Sequence, residues 1–454
     1  MKKSLLANSQ FWAVAAILVA AFAFGGGGSR YGMSNLLVQF TALGALAFHR
    51  EAFFTFWSTA SRPLKFLVLA SIVLPFLYII PLPPSVWQAL PGRELVQQSF
   101  DLLPGEDSAS VWATASVEPV RTGLALTALI VPLALLTIGW SARREQLITI
   151  GWIAVGLGLI NFLIGIPQVL TNSASGVLYP ENPMPGVLFG TFANRNSTAL
   201  FLVGALTLAM FLPTPLRSRR ASLAARVVIC LLLLVAIILT RSRTGLVLAL
   251  VPIGLLTLRL IWARLQTAQR TTQPRSRTAW LVAAPAVVAV AAVAAVVTFA
   301  PGRASDVIDR FQTERTDSRA YIWEDATYAA GQYWPVGSGT GTFDDVFQVS
   351  ESLENMTLRK AGRAHNDYIE LAIETGIPGI ALALAWIAYI IWLCWQCRGS
   401  RDRWIAWSGA IILAIIAAQS ITDYPLRNFS MMSFATLALL LLVRFGQEEG
   451  RAKS

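Results

Sequence analysis

Apolar stretches about 17–25 residues long recur along this chain, each long enough for a helix to cross the hydrocarbon core of a bilayer. Twelve can be marked, at about residues 9–25, 32–48, 65–81, 122–140, 147–170, 197–213, 223–240, 244–263, 280–300, 372–394, 404–421 and 429–444. Inside a bilayer every backbone N–H and C=O must find a partner within the protein, which makes the helix the natural repeating unit. Charge density agrees. Only 13% of the 454 residues are charged, about half the ~25% of an ordinary soluble domain. Three cysteines are too few for a disulfide scaffold, and a 55% hydrophobic chain is neither a soluble enzyme nor disordered. The expectation is an all-α polytopic membrane protein of about twelve transmembrane helices, with one large, partly helical loop before the tenth span.

The net charge of +11 would suit nucleic acid, so it must first be sorted by membrane side. Lys2 and Lys3 precede the first span and place the N-terminus in the cytoplasm. Ala21-Phe22-Ala23 has the look of a signal-peptidase site, but an uncleaved first helix is the simpler reading. With the spans alternating, the C-terminus is also cytoplasmic. The inner side then holds 22 of the 36 Lys and Arg but only five of the 25 Asp and Glu. The outer side keeps 14 bases and 20 acids. The basic excess is therefore mainly a topology signal, and nucleic-acid binding loses its motivation.

Three outer segments are long, at about 82–121, 171–196 and 301–371. The third alone resembles a small soluble subdomain, with a helix-like run from about Ala320 to Gln332 and a break at Gly337-Ser338-Gly339-Thr340-Gly341. There is no internal repeat. The cytoplasmic stretch 264–277 reads as a solvated basic loop.

Only two histidines are present. His49 sits beside Arg50 at a cytoplasmic helix end, where a surface role suffices. His365 lies in Arg363-Ala364-His365-Asn366-Asp367-Tyr368-Ile369-Glu370, where the large outer loop enters the tenth span. Imidazole suits general acid–base work near neutral pH. A lone histidine is more often structural, but Asn366, Asp367 and Glu370 stand close enough in sequence to orient it. Arginines on the acidic outer side are the second signal. Arg241 and Arg243 occupy a very short outer connection between two apolar spans, against the charge bias. Either both snorkel to headgroup phosphates, or at least one faces the bundle and binds an anion through its planar fork. Arg195 lies at another outer helix end, and Arg319 begins the helical run of the large loop.

Other motifs carry less. Cys394-Trp395-Gln396-Cys397 ends a span on the cytoplasmic side without a second ligand pair, so a reduced structural pair explains it better than zinc or redox chemistry. The 337–341 glycine run lacks a surrounding strand–helix unit and reads as a turn rather than a dinucleotide site. No Walker A motif is present, and one outer histidine with scattered acids makes no convincing metal site. No cofactor is expected. Asp423 and Arg427, in the last outer turn, could pair with each other in a structural role.

The chain resembles the bacterial O-antigen ligase and polymerase superfamily. Three passages carry the likeness: Gly190-Thr191-Phe192-Ala193-Asn194-Arg195-Asn196; Ser242-Arg243-Thr244-Gly245; and Arg319 through Trp323 followed by Ala364-His365-Asn366-Asp367-Tyr368-Ile369-Glu370 and Glu374-Thr375-Gly376. They run in order through roughly 180–425, and the first 180 residues match only as a hydrophobic pattern. The resemblance implies an undecaprenyl-diphosphate-linked glycan as donor, an inner-membrane location with the site facing the periplasm, and inverting transfer without metal or nucleotide. It also implies Arg243 and Arg319 as diphosphate binders, Arg195 as a helper and His365 as general base. Arg241 stays an alternative to Arg243. Asn366, Asp367 and Glu370 are supporting residues, with Asp367 or Glu370 setting the imidazole tautomer.

The chain then divides into N-terminal spans (1–180), a ligase-like region containing the 301–371 loop (181–425), and a last span with a cytoplasmic tail (426–454). The reading is a membrane glycosyltransferase acting on a glycan or lipid A–core acceptor. Polymerisation of repeat units fits the same machinery, and a protein acceptor is a third version. A transporter of a lipid-linked glycan is the rival from another class, against which stands the want of repeated halves and of correspondingly broken helices. Arg243, Arg319 and His365 are expected to face one outward cavity.

Overall fold

A computed structural model describes residues 2–28, 30–104, 107–171, 178–179, 184–268, 319–356 and 360–446. Along the first half run α1 (Lys2–Phe24), α2 (Gly32–Phe48), α3 (Arg50–Thr59) and α4 (Arg62–Tyr78). Next come β1 (Pro81–Leu82), α5 (Pro84–Trp87), α6 (Glu94–Asp101) and β2 (Ala113–Thr114). Then follow α7 (Pro119–Ala128), α8 (Ile130–Trp140), α9 (Arg144–Leu170), α10 (Arg195–Phe211), α11 (Arg219–Leu239) and α12 (Arg243–Ala268). The remainder contains α13 (Arg319–Tyr333), α14 (Phe343–Ser350), α15 (Asp367–Gln396), α16 (Arg403–Gln419) and α17 (Phe429–Gly446).

The fold is helical and apolar, as a membrane protein requires. Among the described residues six helical stretches are long and apolar enough to cross a membrane: 119–140, 144–170, 219–239, 243–265, 367–399 and 429–446. Four further apolar helices, 8–24, 32–48, 195–211 and 403–419, are shorter. The stretch expected as the ninth span, 280–300, and the first part of the expected outer loop, 301–318, lie outside the described residues.

Burial sorts the helices by position. Nearly every side chain of α10 and α17 is buried, so these two form the centre, joined by the Phe201 and Phe434 rings at 4.8 Å. By contrast α12 and α15 leave Val247, Leu250, Leu258, Leu384 and Ile391 exposed. In a bilayer such side chains face lipid and need no protein partner.

Four features depart from the sequence expectation. Helix α3 is an extra element between the second and third spans, with only Ala52 and Phe56 buried. The fourth span is built from two consecutive helices, α7 and α8, that meet at Leu129. The 82–118 segment is structured, with β1 and β2 paired antiparallel, Pro81 opposite Thr114. Finally, α15 starts five residues before the expected boundary and breaks at Gly376, whose φ of 52° and ψ of −141° are not helical.

That break explains the glycine run. A broken helix frees backbone groups that must be satisfied inside the protein. Here Ser338 N–H donates to Ile373 O at 2.9 Å, Gly339 N–H to Glu374 O at 2.8 Å, and Ile377 N–H to Pro335 O at 2.9 Å. Gly337, Gly339 and Gly341 all have positive φ, which lets the segment fold flat against α15. So 337–341 is a turn, and one that plugs a helix break. Arg93, 1% exposed, braces the plug from behind. It donates to Gly337 O at 2.8 Å, to Ala115 O and to Pro91 O, and lies over the Tyr333 ring. Burial pulls its guanidinium down to about 10, against the opposing pull of Tyr333, Tyr78 and Glu94.

A Cβ at Gly376 would sit 2.1 Å from Pro335 O, whereas one at Gly254 in α12 would meet nothing within 4 Å. Gly376→Ala is therefore expected to destabilise the protein by roughly 3 kcal/mol through overpacking and backbone strain. Gly254→Ala should be neutral or slightly stabilising. Thermal unfolding of the two purified variants measures the contrast, and equal midpoints would contradict the plug.

Candidate functional site

Arg195 is the first residue of α10 and Arg243 of α12, and Arg319 is the first described residue of α13. His365 and Asn366 immediately precede α15. A helix start combines unpaired N–H groups with the positive end of the macrodipole, which favours anions.

Side chains tie these starts together. Asn194 caps α10 by accepting from Asn196 N–H at 2.8 Å. Its amide donates to Asp423 Oδ1 and Oδ2 at 3.2 and 3.0 Å. Asn196 Oδ1 in turn accepts from Ser242 Oγ at 2.8 Å, which joins the start of α10 to the start of α12. Asp423 Oδ1 lies 3.4 Å from His365 Nδ1. The imidazole also packs on the Tyr424 ring at 5.0 Å. From the other side Trp323 Nε1 donates to Ala364 O at 2.8 Å. That bond fixes α13, one turn after Arg319, to the residue preceding His365. Arg195, Arg241, Arg243 and Arg319 thus sit on segments that meet around His365 and Asp423.

The turn before α10 is anchored from below. On α9, buried Asn161 accepts from Thr191 N–H at 2.8 Å, and buried Gln168 accepts from Phe189 and Gly190 N–H, both at 2.9 Å. Both side chains lie within an apolar span, where a polar group costs stability unless it is bonded.

Backbone geometry singles out the same place. Among the described residues the non-glycine positions with positive φ are Arg241 and His365, each at 52°. A left-handed backbone costs a non-glycine residue about 1–3 kcal/mol and persists only where surroundings enforce it. Around His365 the enforcement is visible. Asn366 Oδ1 caps α15 by accepting from Tyr368 and Ile369 N–H at 3.0 and 3.2 Å. Glu370, fully buried, accepts from Ala364 N–H at 2.9 Å and pairs with Arg363 at 3.1 Å. Asp367 N–H donates to Ser420 O at 2.9 Å.

The carboxylate facing His365 is Asp423, which corrects the expectation that Asp367 or Glu370 would orient the ring. Those two are committed elsewhere. Asp367, Glu370 and Glu374 share one face of α15 and converge on Arg427, at 3.3, 3.3 and 2.9 Å. The supposed Asp423–Arg427 pair is not formed. Asp423 points to His365 and Asn194, while Arg427 serves α15.

Electrostatics follow this partition. Burial alone would raise the Asp423 carboxyl, but the His365 imidazole, Asn196 and the Tyr424 N–H hold it below the usual carboxylate range. Burial lowers the Arg427 guanidinium, yet Glu374, Glu370 and Asp367 outweigh it and hold its proton firmly. Burial pushes the Tyr424 hydroxyl up, reinforced by the Asp423 charge. Because Nδ1 is buried against Asp423 while the side chain as a whole is 35% exposed, Nε2 is the nitrogen open to a substrate. Among the described residues no group of three or more His, Cys, Asp or Glu is arranged to hold a metal ion.

Asp423, set aside in the sequence as a structural partner of Arg427, turns out to be the imidazole's partner. Its signal was available: an acid at a span boundary, on the same side as His365. Nothing in the sequence flagged Asn161 or Gln168, since single amides within apolar spans carry no spacing.

Comparison with known families places these observations. The model of the O-antigen ligase family matches residues 228–384. This chain carries an O-antigen ligase family region. The match runs from within α11 to within α15, so it includes Arg241, Arg243, Arg319, His365, Asn366, Asp367 and Glu370. Arg195 and Asp423 fall outside it, brought in by the fold. Comparison with curated proteins gives no match.

Arg427→Ala would leave three buried carboxylates facing one another, and is expected to cost about 3–5 kcal/mol, read as a large drop in thermal midpoint. The lowered Asp423 carboxyl predicts a pH effect with a definite sign. Its contribution to stability is complete above its ordinary value of 3.8 and is lost as pH falls through the lower native value. Wild-type midpoints should therefore fall more steeply below that pH than those of Asp423→Asn. Parallel curves would contradict the assignment.

Proposed function

We propose that this O-antigen ligase family protein is a membrane glycosyltransferase. It moves a glycan from an undecaprenyl-diphosphate carrier to an acceptor hydroxyl, at the periplasmic face of the bacterial inner membrane. The single observation that supports the reading most is the meeting of arginine-headed helix starts around the His365–Asp423 pair.

In this reading the prenyl tail lies in the bilayer against the apolar helices, and the diphosphate sits at headgroup depth. Arg243 and Arg319 grip its oxygens, helped by Arg195, with Arg241 as the alternative to Arg243. The acceptor oxygen attacks the anomeric carbon from the face opposite the diphosphate. As the new C–O bond forms, the bond to the diphosphate oxygen breaks and its electron pair leaves with the diphosphate. The acceptor proton passes to Nε2 of His365. Asp423 keeps the other proton on Nδ1 and stabilises the imidazolium that results. Negative charge grows on the leaving group during the step, so arginines aimed there bind the transition state more tightly than the ground state. The arginines neutralise the diphosphate and the mechanism calls on no metal. Asn366, Asp367 and Glu370 act at one remove, by holding His365 in place.

Ligation onto lipid A–core and polymerisation of repeat units share this machinery and differ in acceptor. The break in α15 gives the transporter reading one point of support, since transporters use discontinuous helices. A transporter needs the arginines but has no use for a base.

The decisive assay reconstitutes the protein with an undecaprenyl-diphosphate glycan and candidate acceptors. His365→Ala should lower transfer by roughly 10²–10⁴-fold, the usual range for removal of a general base. Arg243→Ala should do likewise, and Arg243→Lys should restore little because the bidentate grip is lost. Undiminished transfer by folded His365→Ala would overturn the base, and flipping without transfer would favour the transporter. Label appearing on lipid A–core marks a ligase; lengthening of the donor glycan marks a polymerase.

A further inference from the structure

The end of the bundle opposite His365 holds arginines that, among the described residues, lack counter-charges. Arg226 on α11, Arg259 on α12 and Arg403 at the start of α16 are each half-buried, and Arg259 lies within range of the charges of both others. Arg226 donates to Leu212 O at 2.7 Å and to Met210 O at the end of α10. The Arg259 guanidinium lies over the Trp404 ring, 4.6 Å from its centroid, and Trp404 stacks on Phe211. Among the described residues no carboxylate pairs with any of the three. The adjacent acid, Asp402, is engaged by Arg144.

Three like charges in a partly desolvated corner repel one another, and carbonyls and an aromatic face compensate only in part. An anion between them would remove the repulsion. Depth indicates which anion. Arg259 lies sixteen residues along α12 from Arg243, and Arg403 sixteen before the end of α16, which is roughly 24 Å at 1.5 Å per residue. The corner is therefore near the far boundary of the hydrocarbon core, on the side the charge distribution assigns to the cytoplasm. It is also too distant to share the diphosphate of the His365 site. Leu223, Leu258 and Trp262 beside it are exposed, a surface suited to an acyl chain.

We propose that Arg226, Arg259 and Arg403 bind the phosphate of an anionic phospholipid headgroup, with its acyl chains along α11 and α12. Guanidinium forks between helices recognise phosphodiester oxygens, and clusters of this kind on the cytoplasmic side suit anionic lipids. The site is separate from the transfer chemistry and stands whether or not the proposed reaction does.

The test places the purified full-length protein in nanodiscs of equimolar phosphatidylglycerol and phosphatidylcholine and counts co-purifying lipid by native mass spectrometry. Wild type should retain phosphatidylglycerol about fivefold over phosphatidylcholine, falling towards parity in Arg259→Gln and Arg403→Gln. Arg259→Lys should keep part of the preference. Thermal unfolding supplies a second readout with opposite signs. In pure phosphatidylcholine Arg259→Gln should unfold at a higher temperature than wild type, because repulsion is relieved. In phosphatidylglycerol it should unfold at a lower one. Parity in wild type, or a preference unchanged by both glutamine variants, would overturn the proposal. Displacement of the lipid by excess inorganic phosphate, with the same stabilisation by phosphate alone in lipid-free detergent, would also overturn it in favour of a free-anion site.

Discussion

The contact of Arg427 with the three carboxylates of α15 is the interaction on which the geometry around His365 depends. Asp367, Glu370 and Glu374 would repel one another on a bare helix face within a bundle of low polarity. Arg427 draws them to the turn between α16 and α17. The same turn presents Asp423 to the imidazole. One buried cation therefore sets both the position of the helix that follows His365 and the position of the acid that faces it. Arg363 closes the arrangement by binding Glu370 from the other side. The cluster is costly to desolvate, and its worth lies in specifying one arrangement rather than in net stability.

A division of labour follows among the charged groups. Those of Arg427 and its partners are saturated by one another and serve as scaffold. Arg195, Arg243 and Arg319 instead lie on segments that Asn194, Ser242 and Trp323 tie to one another and to the residues beside His365. Strain supports the distinction, since the left-handed backbones of Arg241 and His365 lie outside the Arg427 cluster and beside the second set. Such conformations cost stability and are retained where a side chain must point in one direction.

Much of this was legible in the sequence because hydrophobic length and charge asymmetry are strong, local signals. The helical membrane class, the helix at 319–333 and the junction at His365 could all be read that way. Family likeness then named the residues of the 228–384 region. What stayed hidden required three-dimensional pairing. Asp423 and Arg427 are four residues apart and of opposite charge, so sequence suggests that they bind each other. A turn of helix at Pro425–Arg427 instead sends them to different partners. The break in α15 escaped for a related reason. Gly376 and Pro378 sit in an otherwise continuous apolar run, and hydropathy does not register backbone direction.

The break at Gly376 divides α15 into two mechanical parts. Its first block, Asp367–Thr375, is fastened to the last interhelical turn and to the 335–339 segment, while the second packs on α4 through Tyr389 and Trp386 and leaves Leu384 and Ile391 exposed. Because the backbone changes direction at Gly376, a tilt of the second block can be taken up there without turning the first. The imidazole, two residues before the first block, is thus positioned by the loop contacts of that block and not by the direction of the long apolar helix beyond Gly376.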